Sequence, residues 1–272
     1  MASLMGPALL FCPAGRPDRY AKALARADAV ILDLEDAVAP ADRKAAREAL
    51  CAHPLEPDRT IVRVNAAGTP DHGPDLEALH RTGYRTVMLA KAETGRDLAL
   101  LGGYQVLALC ETARGIQAAP ALAALENVAG LMWGAEDLMA SLGGTSSRTA
   151  GGAYRDIARY ARTQVLLAAR ARGKAAIDSV YLDIEDLAGL AAEAGDAAAS
   201  GFSAKAAIHP GQAEAIRGAF RPTAEEADYA ADLLEADRRE PGVFSFRGRM
   251  VDAPLLRHAE QTLRRAGRQV PR

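Results

Sequence analysis

Three observations predict an α/β fold, a (β/α)8 TIM barrel with a C-terminal helical appendage. Eight short apolar runs recur along the chain, helical segments separate them, and no glycine-rich phosphate turn follows the first run. Most of the runs are continuously apolar rather than alternating, as strands covered on both faces by helices are. The competing doubly wound sheet normally carries G-x-G-x-x-G after its first strand, whereas this chain has "CPAGRPDR" there. The 272 residues suffice for one barrel over residues 1–220 and a helical or lid segment over 221–272.

The first strand is read at "ALLFCPA" (8–14) and the second at "AVILDLED" (29–36). "APADRKAAREAL" follows as a helix, with Pro40 suited to its first turn. "TIVRVNA" (60–66) is the third strand, and the helix "PDLEALHRTG" after it stops at Gly83. "TVMLAKAE" (86–93), "QVLALCETA" (105–113) and "VAGLMWGAED" (128–137) are the fourth to sixth strands. "GGTSSRTAGG" (143–152) resembles a phosphate cradle, but so small-residue a stretch reads first as a flexible loop. The long amphipathic run "YRDIARYARTQVLLAARARG" ends at Gly173 and leads to the seventh strand, "AAIDSVYLD" (175–183). "AGLAAEAGDAAASG" stops at Gly201 before the eighth strand, "FSAKAAIHP" (202–210). In the tail, Thr223 and Glu226 form a capping box, and Ala227, Ala230 and Leu234 give the next helix an apolar stripe. A glycine-rich bend and a last helix complete the chain.

In a barrel the C-terminal ends of the strands converge on one mouth. The ends here carry Asp33, Glu35 and Asp36, then Arg63 and Asn65, then Lys91 and Glu93. Glu111, Thr112 and Arg114 follow, then Glu136 and Asp137, Asp183, and finally Lys205 and His209. Buried charge is costly unless it is paired or bound. Adjacent carboxylates in a confined site stay ionised only with a cation beside them. Oxygen donors and the scarcity of His and clustered Cys point to Mg²⁺ rather than zinc. Taken singly, Asp36 or Asp137 reads as a helix N-cap and His209 as a packed residue at a helix entry. Arg63, inside an apolar strand, needs a carboxylate partner.

The formal net charge of −2 supplies no bulk attraction to nucleic acid or anionic membrane. No apolar stretch approaches the roughly 20 residues of a membrane span, and the N-terminal segment does not read as a secretory signal. Cys12, Cys51 and Cys110 lack paired spacing, which fits small hydrophobes in a reducing compartment. The expectation is a cytoplasmic protein.

Eight motifs in order carry a resemblance: "LFCPAGRPDRYAKAL", "AVILDLEDAVAPADRKAAREAL", "VRVNA", "VMLAKAE", "LCETARGI", "MWGAEDL", "AIDSVYLDIEDLAGL" and "IHPGQ". Together they resemble the citrate lyase β-subunit-like (CitE-like) branch of the HpcH/HpaI aldolase superfamily. The resemblance implies a homotrimeric TIM-barrel lyase that uses Mg²⁺, with Mn²⁺ able to replace it. The reaction so implied breaks a carbon–carbon bond of a 3-hydroxyacyl-CoA such as malyl-, citramalyl- or 3-hydroxy-3-methylglutaryl-CoA. It further implies Glu111 and Asp137 as metal ligands, with Glu35 and Asp36 holding water on the metal. Arg63 would hold the oxygen at the reacting carbon. The backbone around Gly134, Ala135, Glu136 and Asp137 would receive a substrate carboxylate. Arg16, Lys44, Asp33 and His209 would lie beside the coenzyme A portion. Asp252 in "RMVDAP" would be the acid/base, delivered from an adjacent subunit; read by itself it is an N-cap. The alternatives are a citrate lyase β subunit acting on a citryl thioester held by an acyl carrier protein, and a CoA-binding barrel without turnover.

Overall fold

A β-branched, continuously apolar run favours an extended strand buried on both faces, and the eight runs form such strands in the computed structural model, which describes residues 5–239 and 242–271. They are β1 (Ala8–Pro13), β2 (Ala29–Asp33), β3 (Thr60–Val64), β4 (Thr86–Leu89), β5 (Gln105–Cys110), β6 (Val128–Trp133), β7 (Ala175–Asp178) and β8 (Ala204–Ala207). Each pairs in parallel with the next, and β1 pairs with β8, so the sheet is a closed barrel. The helices between them are α1 (Pro17–Arg26), α2 (Arg43–Ala52), α3 (His72–His80), α4 (Gly95–Ala99), α5 (Ala113–Ala123), α6 (Ala135–Leu142), α7 (Asp156–Ala171) and α8 (Leu187–Ser200). The expected (β/α)8 TIM barrel is the fold observed.

The barrel interior is filled by side chains from alternating positions, among them Leu9, Ile31, Ile61, Met88, Leu109, Met132 and Ile177. Small residues admit the tightest approaches: a Cβ on Gly130 of β6 would lie 3.0 Å from both the Cβ and the carbonyl oxygen of Ala175 on β7. Gly173 and Gly201 end α7 and α8 with φ of 65° and 107°, the left-handed conformation that a C-terminal glycine supplies without a Cβ clash.

Strands end earlier than the apolar runs suggest. β2 stops at Asp33 and β7 at Asp178, so Glu35, Asp36 and Asp183 lie in the following loops. Asp33 hydrogen-bonds to the backbone of the turn after β2, and Asp183, well past the end of β7, to that of the turn before α8. Asp33 accepts the N–H groups of Glu35 and Ala37, and Asp183 those of Glu185 and Asp186. In the loop over 143–152, Arg148 bridges to Tyr154 and makes an ion pair with Glu193 at 2.7 Å.

The chain divides into two compact units, the first ending at Ile216 and the second running from Arg217. Helix α9 (Gln212–Phe220) spans that boundary. The second unit contains α10 (Ala224–Arg239), a hairpin of β9 (Phe244–Phe246) and β10 (Arg249–Val251), and α11 (Ala253–Arg265). The capping box forms: Thr223 N–H donates to Glu226 at 2.8 Å and Glu226 N–H donates to Thr223 Oγ1 at 3.1 Å. The hairpin stands where a simple bend is expected. Its two turn residues, Arg247 and Gly248, have φ of 48° and 80°, the primed turn that matches strand twist. Ala227, Ala230, Leu234, Phe244, Val251 and Leu263 form a separate small core.

Lys205 on β8 is 0% exposed. Its ammonium donates to Asp178 at 2.9 Å, Glu193 at 2.9 Å and the Ser179 carbonyl at 2.7 Å. Asp178 also accepts the Trp133 indole N–H at 2.7 Å and Arg162 at 2.9 Å. Removing one partner from a buried pair leaves the other charge uncompensated. Lys205→Met is therefore expected to destabilise the fold by about 3 kcal/mol in urea denaturation; a change under about 0.5 kcal/mol would contradict this account.

Candidate active site

Arg63 emerges from β3 with 8% exposure. An arginine cannot shed its charge, so its burial requires carboxylate partners. Nε and Nη2 donate to the two oxygens of Asp33 at 2.7 and 2.6 Å, a bidentate pair, and Nη1 lies 3.0 Å from Glu35 Oε2. Phe11 lies under the guanidinium, 4.8 Å from Cζ to the ring centre. Burial opposes the charge of Arg63, but the Asp33 hydrogen bonds outweigh it and hold the group cationic.

Asp33, with 1% exposure, has its oxygens committed to Arg63 and to the backbone of the following turn, and these bonds orient the arginine. Asn65 likewise turns inward, donating from N–H and Nδ2 to Asp75 at 2.8 and 2.7 Å, and fastens the loop after β3 to α3.

Glu111 follows the last residue of β5 and is 3% exposed. Burial, reinforced by the charge of Asp137, pushes its carboxyl up to about 8. Burial also raises Glu35 above the usual carboxylate range. Gly134, at the end of β6, makes room for Glu111: a Cβ there would fall 2.7 Å from Glu111 Oε2. Asp137 stands in the first turn of α6, half-buried on the same side. Helix geometry accounts for the direction of the adjacent acids. Glu136 is exposed and turns to the 143–152 loop, where Ser147 donates to it at 2.7 Å, while Asp137 turns to Lys91 at 3.2 Å. Ala135 N–H makes a long contact of 3.4 Å to Ser179 Oγ. The N-terminal N–H groups of α6 carry the positive end of the helix dipole, which favours an anion.

Lys91 completes the cluster. Its ammonium lies 2.5 Å from Glu35, 3.3 Å from Asp36, 3.2 Å from Asp137 and 3.9 Å from Glu111. Burial opposes its charge as well, but the Glu35 hydrogen bond and the fields of Glu111, Glu35 and Asp137 raise it above an ordinary lysine.

Arg16, Lys44 and His209 stand apart from this cluster. Arg16 precedes α1 and pairs with Asp18 at 2.9 Å, Lys44 is exposed on the first turn of α2, and His209 follows β8 and accepts the Gly211 N–H at 3.2 Å. Asp252 is the N-cap of α11, accepting Leu255 N–H at 3.4 Å. Cys12 and Cys110 are thiols that burial pushes up to about 11 and about 12, as expected of packed hydrophobes rather than nucleophiles.

The HpcH/HpaI aldolase/citrate lyase family model matches residues 8–104 and 101–210, which contain this cluster. The chain belongs to that family. A citrate lyase subunit beta-like protein of Mycobacterium tuberculosis is 56% identical over 96% of both chains. The mitochondrial citramalyl-CoA lyase of Homo sapiens is 31% identical over 87% of this chain and 78% of its own. The crystal structure of CitE from M. tuberculosis in complex with magnesium, acetoacetate and coenzyme A superimposes with a TM-score of 0.94. It is 56% identical to this chain, covering 97% of it and 100% of its own length.

The contacts of Lys91, Asp178 and Ser179 escape a reading of the sequence. Lys91 is visible at a strand end, but the backbone that turns it inward has no sequence signature. Asp178 and Ser179 lie in "AAIDSV", where the strand was expected to run on to Asp183; Lys205, a cation inside an apolar strand like Arg63, is the signal that a buried acid faces it.

The raised Glu111 has a consequence for stability in the absence of metal. Between the ordinary glutamate value of 4.5 and about 8 the folded protein binds a proton that the unfolded chain does not. Stability therefore falls as pH rises through that window. Glu111→Gln removes this component, and at about pH 8 the metal-free variant is expected to melt above the metal-free parent. Identical pH slopes for the two in thermal melts would refute the assignment.

Proposed function

We propose that this chain is a Mg²⁺-dependent carbon–carbon lyase that cleaves a 3-hydroxyacyl-CoA to acetyl-CoA and a keto acid. Malyl-, citramalyl- and 3-hydroxy-3-methylglutaryl-CoA are the candidate substrates. The observation that carries this reading is the juxtaposition of buried Glu111 and Arg63 with half-buried Asp137 at one barrel mouth. The donor set fits the cation. Among the described residues no three His, Cys, Asp or Glu side chains converge as a complete metal cage. Mg²⁺ commonly takes only one or two carboxylates, with water and substrate oxygens completing its sphere, and Mn²⁺ accepts similar donors. The space left by Gly134 and the unfavourable charge on Glu111 are what a cation between these acids would exploit.

The bound cation supplies a Lewis acid for oxygen-centred charge as the carbon–carbon bond breaks. Arg63, locked by Asp33, retains N–H donors on Nη1 and Nη2 for the oxygen of the reacting carbon as it passes from hydroxyl to carbonyl. The N-terminus of α6, at Gly134, Ala135, Glu136 and Asp137, receives the substrate carboxylate through backbone N–H groups. Glu35 and Asp36 order water near the metal ligands. Arg16, Lys44 and His209 contact the coenzyme A portion. Asp252 accepts the hydroxyl proton as that oxygen becomes the carbonyl and returns it to the acetyl-CoA carbon. In this reading residues 221–272 are a lid that packs on a neighbouring subunit of a cytoplasmic homotrimer. Support comes from the CitE complex with magnesium, acetoacetate and coenzyme A, and from the relation to human citramalyl-CoA lyase.

The relation to a citrate lyase subunit beta-like protein favours a second reading, cleavage of a citryl thioester on an acyl carrier protein. Co-purification with a carrier and inactivity on free CoA thioesters would select it. A CoA-binding barrel without turnover would bind CoA and yet exchange no proton from acetyl-CoA.

A panel of the three thioesters with Mg²⁺, assayed for acetyl-CoA release, is expected to reveal one cleaved substrate. Glu111→Gln should then lower kcat/KM by roughly three orders of magnitude, about 4 kcal/mol of transition-state stabilisation. Wild-type turnover and metal affinity in that variant would refute the mechanism.

A further inference from the structure

Lys91 has a left-handed backbone with φ of 49°, a conformation that L-residues other than Asn or Asp rarely adopt. Hydrogen bonds on either side hold it there. Ala90 N–H reaches Val64 on the β3 side at 3.3 Å, and Ala92 N–H reaches Leu109 on β5 at 3.0 Å. The kink between them directs the Lys91 N–H onto Glu111 Oε1 at 3.1 Å. It also returns the side chain over the mouth, among Glu35, Asp36, Glu111 and Asp137. Arg63 cannot do this work for Asp137, because its short contacts go to Asp33 and Glu35. Lys91 is the cation within 4 Å of Asp137 among the described residues.

We propose that Lys91 is the resident counter-ion of the metal site. Its ammonium holds Glu111 and Asp137 together in the metal-free protein, yields both to an entering divalent cation, and stays on Glu35 and Asp36. This rests on the reading of Glu111 and Asp137 as the metal ligands. The physical reason is competition for the same oxygens. A unit charge 3–4 Å from both ligands stabilises them when the metal is absent and repels the metal when it arrives. A compact charge on a flexible four-carbon stem can move between acids, which the planar arginine fork clamped on Asp33 cannot. Glu35, at 2.5 Å, and Asp36, at 3.3 Å, give the displaced ammonium a place to remain. Lys91 is thus a positioning residue, and it lowers metal affinity in exchange for an ordered empty site.

Mn²⁺ titration of the full-length chain, followed by calorimetry and by the loss of the free-ion paramagnetic signal, tests this. Saturable binding by the parent that Glu111→Gln abolishes establishes the ligand assignment independently. Lys91→Met should then bind Mn²⁺ tighter by about tenfold or more, the direction expected when a unit charge close to the ligands is lost. It should also melt below the parent without metal and recover with saturating Mn²⁺. Lys91→Arg, which keeps the charge, should stay within a few-fold of the parent. Equal or weaker Mn²⁺ binding by Lys91→Met beside normal binding by the parent overturns the counter-ion role and leaves the metal assignment standing. Absence of binding by the parent overturns both. Lys91→Gln replaces the methionine variant if that fails to fold, and failure of both to fold in saturating Mn²⁺ assigns the lysine to structure alone and ends the proposal.

Discussion

Crowding of like charge at one end of the barrel is the constraint on which the rest of the site depends. Asp33, Glu35, Asp36, Glu111 and Asp137 are brought to one mouth by strands and loops that are otherwise apolar, and the first, second and fourth are buried. Carboxylates packed this way repel one another and lose hydration, so they persist only where cations offset them. Among the described residues, Arg63 and Lys91 are the two cations that pair with these acids, and they divide the task. Arg63 is rigid and bidentate on Asp33. Lys91 is shared among four carboxylates. They leave Glu111 a carboxyl that burial and the charge of Asp137 push up to about 8.

The barrel makes this arrangement tolerable. Closure of the sheet leaves no strand edge, and the interior packing of Leu9, Ile31, Ile61, Met88, Leu109 and Met132 provides a rigid floor. Side chains at the strand ends can therefore be held against their electrostatic preference without the fold relaxing around them. A second buried ionic network, Lys205 with Asp178 and Glu193, pins β7 and β8 and reaches β6 through the Trp133 indole. That fixes the strand end from which Gly134 and α6 follow. The geometry of the mouth and the stability of the fold are coupled there, because the same strand ends serve both.

Glu136 and Asp137, two adjacent acids at the end of an apolar strand in "MWGAEDL", are set apart by helix geometry. Both residues belong to the first turn of α6, and the turn separates their directions. Glu136 is drawn to Ser147 and Asp137 to Lys91. Gly134 precedes them because Glu111 from the neighbouring strand occupies the space of its missing Cβ.

The sequence by itself determined the class of fold and the membership of the polar set. Eight apolar runs separated by helical segments can bury their faces in few ways, and a strand-end position in a parallel barrel implies the mouth. That is why Arg63, Glu35, Glu111 and Asp137 were legible before any coordinate. Tertiary structure decided which of these residues meet. Asp33 reads as one more mouth acid, and only the packing of β2 against β3 shows it clamped on Arg63. Lys91 reads as one more strand-end lysine, and only its left-handed backbone carries it over the acids. The hairpin over β9 and β10 and the early end of β7 at Asp178 were hidden for the same reason. Periodicity reports which face of an element is apolar, whereas ion pairing and backbone kinks depend on neighbours distant in the chain and brought close by packing.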